Sequence, residues 1–467
     1  MAHPSFETSA AWRTRAYWLE QAGPYEPAEP LRGDLHVDVA IVGGGYTGLW
    51  AAHFLKAADP SLDIALLEQE VVGYGASGRN GGFAMTVVDY SLHHLLTHYG
   101  RERARAAHNA IARSVVEIGE FADKHGMDCE YELTGFLAVA ASPGQVSRVR
   151  LDLQAAERLG LADEWTYLDR AAVREQVDSP VFECGAFERT CALLQPAKLA
   201  FGIRAAIADS GVRIFERTPV AAIEPGSTIV LRTPEGRVRC EQAVLAANAW
   251  SHRLPQVGRR ALPLYTYILL TEPLSDAQRD RIGWRNRQGL ENKQNYLNYF
   301  RITKENRLMW GGEARYFYGL STDLAHDRDG GAFATIEREM RRTFPQLSDV
   351  RIEHRWGGPI AVTVKFLPSF GTVPGTGIHF GFGYSGHGVA PTHTGGQILR
   401  DLVLGRDTEH TDLLMVQPAK RYPPEPAAFL GERVSRRALK KQDRAMEAGK
   451  DVGMFEPWIL RVLNRLS

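Results

Sequence analysis

The apolar positions along this chain change period several times, and those changes predict its elements. Val37 to Val42 is apolar almost throughout, as a buried strand would be; LWAAHFLKAA after it has helical spacing, and LDIALLE is a second strand ending at Glu68. Between 92 and 125, Ile111, Val115, Ile118 and Phe121 recur at spacings of four and three, which predicts an amphipathic helix. YELTGFLAVAAS (131–142) reads as a strand and GQVSRVRLDLQAAERLG (144–160) as a second amphipathic helix. A helix over 198–211 leads into short strands up to 250, with turns at Pro225-Gly226 and from Pro234 to Gly236. ALPLYTYILLTEPL (261–274) and ENKQNYLNYFRITKENRLMWGGE (291–313) are strand segments, the latter a hairpin across Lys304 to Asn306. Spacing of two puts Tyr265 with Tyr267, and Tyr299 with Arg301, on common strand faces. Finally IHFGFG (378–383) runs as a strand into a helix that ends near Leu404.

Gly43, Gly45 and Gly48 stand where the first strand turns into its helix, and Glu68 follows about twenty residues later, completing a βαβ dinucleotide fingerprint. Gly43 allows the tight turn, Gly45 lets backbone approach a pyrophosphate, and Gly48 lets helix and strand pack closely. The helix N-terminus offers free N–H groups and partial positive charge. Glu68 suits an adenosine ribose and disfavours a 2'-phosphate, which leaves FAD or NAD. Gly381, Gly383 and Gly386 spell a second G-x-G-x-x-G, but no strand ending in an acid follows to complete a nicotinamide site.

Composition narrows the classes. Lys+Arg and Asp+Glu both number 55, so no basic excess points to nucleic acid. The 4 cysteines, Cys129, Cys184, Cys191 and Cys240, contain no C-x-x-C and read as reduced thiols of a cytoplasmic protein. The N-terminus lacks the order of a signal peptide, and no apolar run approaches the roughly 20 residues of a membrane span. A length of 467 residues predicts two or three domains at about 150 residues each. The aromatic, Pro-rich arm (Trp12, Tyr17, Trp18) is expected to lie against the body.

VVGYGASGRNGG (71–82), directly after Glu68, is too glycine-rich for a helix or strand and supplies close-approaching N–H groups. GASGRNGG after a GxGxxG…Glu unit resembles the FAD-dependent amine and amino-acid oxidoreductases of the D-amino-acid oxidase (DAO) type, within them the gamma-glutamylputrescine oxidoreductase-like branch and aminophosphonate oxidoreductases. YFRITKENRLMWGG, RTFPQL and GYSGHGV extend the resemblance over roughly residues 16–405. It implies an α/β and α+β fold in which a Rossmann-like FAD-binding domain of the glutathione-reductase type interleaves with a mixed-sheet substrate domain. The expected division is an N-terminal arm (1–36), FAD-binding parts at 37–91, 190–255 and 355–405, substrate-domain parts at 92–189 and 256–354, and a C-terminal extension at 406–467.

For the cofactor, the resemblance implies contacts from Gly43, Gly45, Tyr46, Thr47, Gly48, Glu68 and Gln69 at the fingerprint, and from Gly75, Ala76, Ser77, Arg79, Asn80, Gly81 and Gly82 in the loop. Val220 is expected at the adenine, Ala247 and Trp250 beside the FAD, and Gly358, Gly386, His387, Gly388 and Val389 at the flavin. There a helix N-terminus would stabilise negative charge on the reduced ring. FAD should be non-covalent, because no cysteine follows Cys240 to tether it.

Tyr265, Tyr299, Arg301, Trp356 and His387 are the expected substrate-side or catalytic residues. Arg301 suits a carboxylate or phosphonate; the competing reading is a buried pair with Glu291 or Glu313. Met309 stands where the resemblance places an oxygen-activating lysine, which leaves O2 and an electron carrier both open as oxidant. The expected reaction is oxidation of CH-NH2 in a small polar amine, a gamma-glutamyl amine or aminophosphonate, by hydride transfer to flavin N5, giving imine, then aldehyde and ammonia. Alternatives are a D-amino-acid or N-methyl (sarcosine-like) amino-acid oxidase or dehydrogenase, a non-catalytic flavin-binding subunit, and an NAD-dependent dehydrogenase. The glycine-rich loop argues against the last. Sequence does not fix the oligomeric state.

Overall fold

A computed structural model describes residues 11–88 and 91–450, and two large sheets organise them. The first has the order Ser369–Thr372, Ile378–Phe382, Gly236–Leu245, Leu35–Val42, Ile64–Leu67, Arg213–Phe215. Its inner pairings are parallel, with Val42 opposite both Leu245 and Leu67. The C-terminal ends of three strands therefore meet beside Gly43, the edge where open parallel sheets bind ligands. Two further strands, Ala222–Glu224 and Ile229–Thr233, extend this sheet as the antiparallel meander that the turn signals predict.

The second sheet is mixed, in the order Ile352–Val362, Leu262–Pro273, Arg307–Tyr316, Tyr299–Ile302, Gly289–Asn292, Phe136–Ala140, Cys184–Glu188, Trp165–Leu168. Tyr299–Ile302 and Arg307–Tyr316 form the expected hairpin. One face buries Tyr267, Phe300 and Trp310 against Phe333, Ile336 and Met340 of helix Gly330–Thr343. Side chains alternate along each strand, so the residues between them emerge on the other face.

Two expected boundaries are corrected. A division at 355 would cut strand Ile352–Val362, which pairs with Leu262–Pro273 from Leu262↔Val362 to Thr271↔Ile352; the mixed sheet therefore owns Trp356 and Gly358. Helix Leu92–Lys124, expected in the substrate domain, buries Ala107, Ile111, Val115 and Ile118 with Leu49 and Trp50 of the fingerprint helix and Ile398 and Leu399 of helix Val389–Val403. Its apolar stripe thus belongs to the dinucleotide layer.

The N-terminal arm packs as expected. Trp12, Tyr17, Trp18 and Leu19 share a core with Val71, Tyr74, Met309 and Trp356. Buried Glu216 fixes the arm further on, accepting hydrogen bonds from Tyr25 Oη, the Ala28 N–H and the Val72 N–H, each at 2.5 Å. The C-terminal extension contains a long helix, Ala427–Glu447, while the amphipathic end WILRVLNRL lies outside the described residues. No helix among the described residues is long and apolar enough to cross a membrane.

Candidate active site

The dinucleotide end is built mainly from backbone. Gly43 has φ +113°, and a Cβ there would lie 2.6 Å from the Ala246 carbonyl oxygen; a Cβ on Gly48 would lie 2.0 Å from the Gly43 carbonyl oxygen. Helix Tyr46–Ala58 starts from an extended Gly45 with no side-chain cap, so beyond the Tyr46 N–H, which Ser77 accepts, its N-terminus is open to an anion. Glu68 Oε2 accepts from the Gly44 N–H at 2.6 Å and Oε1 from the Glu70 N–H at 2.9 Å. Burial pushes this carboxyl up to about 7, against the pull of those two bonds. Gln69 follows Glu68, and the Thr218 N–H donates to the Glu68 carbonyl at 2.8 Å, which brings the segment bearing Val220, just ahead of strand Ala222–Glu224, alongside. The Ala246 N–H donates to the Val42 carbonyl at 2.8 Å, which seats Ala247 against Gly43.

The loop at 75–82 is held from all sides. Ser77 Oγ accepts from the Tyr46 N–H at 2.9 Å, tying the loop to the fingerprint helix. Asn80 braces it internally, donating to the Ala76 and Ser77 carbonyls and accepting from the Gly82 N–H. The Trp250 ring covers Gly75. Trp356 Nε1 donates to the Arg79 carbonyl at 2.9 Å. Arg79 itself is buried, with Nη1 2.7 Å from Asp327 Oδ2, Nε on the Tyr74 carbonyl at 2.7 Å and its guanidinium over the Tyr74 ring. Its Nη2 has no hydrogen-bond partner among the described residues.

A cavity of about 630 Å³ opens on this loop. Around it stand Ala76, Arg79, Asn80, Gly81, the mixed-sheet residues Leu262, Leu264, Thr266 and Ile268, the strand Trp356 to Ile360, and Ser385, Gly386, His387 and Val389. Helix Val389–Val403 begins at Gly388 without a side-chain cap, so a second uncapped N-terminus reaches the same space. Its entry loop is anchored by a 2.7 Å hydrogen bond between Thr47 Oγ1 and Tyr384 Oη, which links the two uncapped helices. His387 Nε2 lies 3.8 Å from Glu291 Oε2, and Lys293 Nζ lies 3.7 Å from Glu291 Oε1 and 3.1 Å from Asp152. Burial alone would raise the Glu291 carboxyl, but His387 and Lys293 outweigh it and hold it below the usual value.

Of the five expected substrate-side residues, Tyr299, Trp356 and His387 line this cavity. Tyr299 lies on the glycines: a Cβ on Gly81 would come within 2.7 Å of its ring, and one on Gly311 within 2.1 Å. Tyr265 is corrected: it is fully buried on the opposite face, its hydroxyl donating to the Asp323 carbonyl at 2.9 Å, while Leu264 and Thr266 face the cavity. Arg301 is corrected as well. Nη1 donates to the carbonyls of Gly82 and Leu194, both at 2.9 Å, and the guanidinium lies over Trp18, so it neither lines the cavity nor pairs with Glu291 or Glu313. Burial pulls it down to about 10. Met309 is buried behind Gly81.

Sequence reasoning missed the far wall. Helix Ala427–Glu447 places Ala428, Gly431, Glu432, Ser435, Arg436 and Leu439 on the cavity, and buried Glu313 receives Arg436 and Lys440 from it. The recurrence of small and apolar residues at 428, 431, 435 and 439 was the available signal, since it marks one helix face.

These residues fit FAD: the fingerprint has a glycine turn, a helix N-terminus and an acid at the ribose position, the cavity has a second uncapped helix start and an orphaned buried N–H on Arg79, and the Tyr46–Ser77 and Thr47–Tyr384 hydrogen bonds join the two regions. No cysteine lines the cavity among the described residues, and all four are free and buried. Comparison with known proteins agrees. The chain is 32% identical over 412 residues to gamma-glutamylputrescine oxidoreductase of Escherichia coli (strain K12), covering 88% of this chain and 93% of that protein. It is 29% identical over 400 residues to a probable oxidoreductase, OrdL, of Haemophilus influenzae, covering 84% and 89%. Its fold matches glycine oxidase from Geobacillus kaustophilus with a TM-score of 0.70 at 19% identity, over 83% of this chain and 100% of that one. The family described as FAD dependent oxidoreductase, DAO, matches residues 38–402, and the chain therefore belongs to the DAO family of FAD-dependent oxidoreductases, flavoenzymes of amine and amino-acid oxidation.

Proposed function

We propose that this enzyme oxidises the CH-NH2 bond of a small polar amine, a gamma-glutamyl amine or a related compound, to an imine that water hydrolyses to aldehyde and ammonia. The observation that carries this reading is the cavity bounded by the GASGRNGG loop, the uncapped helix start at Gly388 and the His387–Glu291 pair. FAD, when bound, supplies the two-electron acceptor for the C–H hydride. His387, backed by the Glu291 carboxylate, takes the proton from the substrate ammonium and frees the nitrogen lone pair that assists C–H cleavage. Tyr299, Trp356 and the apolar strand residues Leu264 and Ile268 exclude water and hold the reacting carbon. Identity with a gamma-glutamylputrescine oxidoreductase along most of both chains supports an amine over a hydroxy acid.

Met309 behind Gly81 offers no charge to dioxygen, which favours an electron carrier as oxidant over O2. Four reduced, buried cysteines suit the cytoplasm. A D-amino or N-methyl amino acid remains the second substrate class. The experiment is anaerobic titration of the yellow holoenzyme with diamines, gamma-glutamyl amines, aminophosphonates, and D-amino and N-methyl amino acids. Flavin absorbance should bleach with the amines, and little peroxide should form on turnover in air. Bleaching by none of them would point to the non-catalytic flavin-binding subunit.

A further inference from the structure

Helix Ala427–Glu447 carries an unusual set of charges on the face it turns to the cavity. Buried Glu313, on strand Arg307–Tyr316, holds Arg436 and, at 2.8 Å, Lys440, while Arg315 lies 3.7 Å from Glu313 and 2.7 Å from Asp329. Glu313 thus ties the helix to the mixed sheet through Arg436 and Lys440, and Arg436 reaches the cavity from this pair. One turn back, Glu432 also lines the cavity and has no ion pair or hydrogen bond among the described residues. Burial raises its carboxyl, opposed by the charges of Arg436 and Arg433. Between them, Ser435 Oγ is buried without a hydrogen-bond partner among the described residues. An unpartnered buried hydroxyl carries a desolvation penalty that a ligand bonding to it would remove.

The i, i+3, i+4 spacing puts Glu432, Ser435 and Arg436 on one helix face, lining the same cavity as Leu262 and Leu264 of the mixed sheet and the loop at 76–81. The small residues Ala428 and Gly431 bring that face close to the cavity. We infer that this helix completes the substrate site and reads the end of the substrate remote from the reacting amine: Arg436 binds a carboxylate, and Glu432 with Ser435 Oγ binds an ammonium. The substrate class is an amine joined through an apolar arm to a zwitterionic head group. The inference rests on the amine-oxidising reading above and deepens it. Glu432 and Arg436 are specificity-determining residues; neither touches the reacting carbon.

The test is calorimetric titration of the holoenzyme with a gamma-glutamyl butylamide, which keeps the zwitterionic head and the apolar arm but has no second amine to oxidise. Wild type should bind it at least tenfold more tightly than butylamine. Glu432→Gln and Arg436→Gln should each weaken it tenfold or more, with Glu432→Asp and Arg436→Lys recovering part of the loss and thermal unfolding staying within a few degrees. Equal affinity in wild type and both Gln variants, or no preference for the headed ligand in wild type, would overturn the inference. Because the probe is not oxidised, its binding is read independently of flavin bleaching: bleaching by no amine sinks the proposed reaction, while unchanged affinities sink the role of this helix.

Discussion

The fingerprint end and the cavity end of the candidate site are built by opposite means. At the fingerprint end the candidate site is backbone, the glycine turn from Gly43 to Gly48 and the start of helix Tyr46–Ala58, together with the Glu68 carboxylate, all within a single stretch of chain. At the cavity end they are side chains drawn from strands Leu262–Pro273, Tyr299–Ile302 and Ile352–Val362, from the loop before Val389, and from helix Ala427–Glu447. A backbone site leaves its mark in sequence as glycines at fixed spacing, because only glycine permits the close approach. A side-chain site leaves no such mark, since each contributor also reads as ordinary strand or helix. The first kind should fail abruptly on a one-carbon change, the second by degrees.

The largest effect is expected at Gly48. In Gly48→Ala the new Cβ would sit 2.0 Å from the Gly43 carbonyl oxygen, a backbone atom that cannot swing away. We expect destabilisation beyond about 4 kcal/mol and purified protein without bound flavin. Gly330→Ala, at the start of the helix behind the mixed sheet, meets nothing within 4 Å and should be neutral or stabilising by roughly 0.5–1 kcal/mol. Flavin content and thermal unfolding read both variants, and a yellow Gly48→Ala protein melting near wild type would break the contrast.

Next comes Arg79, where the two ends are joined. Replacing it by Met removes the 2.7 Å partner of Asp327, which is nearly fully buried, and leaves Arg15 at 3.9 Å. Breaking such a pair costs about 3–5 kcal/mol. Burial already raises the Asp327 carboxyl despite Arg79; without the guanidinium it rises further. A carboxyl raised above its unfolded value contributes its stability below the unfolded pKa and loses it as pH rises through the folded one. The deficit of Arg79→Met relative to wild type should therefore be larger at pH 8 than at pH 5, as measured by denaturant unfolding. A deficit that shrinks with rising pH would show that Asp327 is not the group left stranded.

What could be read in advance follows the same division. The fingerprint, the loop at 75–82, the hairpin at 304–306 and the helix leading to Leu404 are local patterns, and the fold has each of them in place. The face of strand Leu262–Pro273 could not be read, because LPLYTYILL is apolar on both sides and period-two alternation pairs Tyr265 with Tyr267 without saying which side is core. Arg301 was misplaced because its acceptors, the carbonyls of Gly82 and Leu194, lie far away in sequence and backbone carbonyls carry no residue signature. The boundary at 355 failed on strand pairing, again a long-range property. Helix Ala427–Glu447 showed its buried stripe, but a stripe does not name what it covers.

The smallest expected effect tests that strand face directly. Tyr265→Phe deletes one hydroxyl that donates to the Asp323 carbonyl on the core side, at a cost of about 1 kcal/mol. The ring stays packed against Phe317 and His326, so the strand keeps its register and the cavity its shape. Thr266→Val, one residue along, changes a cavity-facing hydroxyl to a methyl of nearly the same volume. If the alternation is right, Tyr265→Phe lowers the unfolding midpoint slightly and leaves the KM for the amine unchanged, whereas Thr266→Val moves KM a few-fold with little change in stability. A KM effect in Tyr265→Phe larger than that in Thr266→Val would reverse the strand, bring Tyr265 back to the substrate side, and require the cavity wall to be drawn from the other face of the mixed sheet.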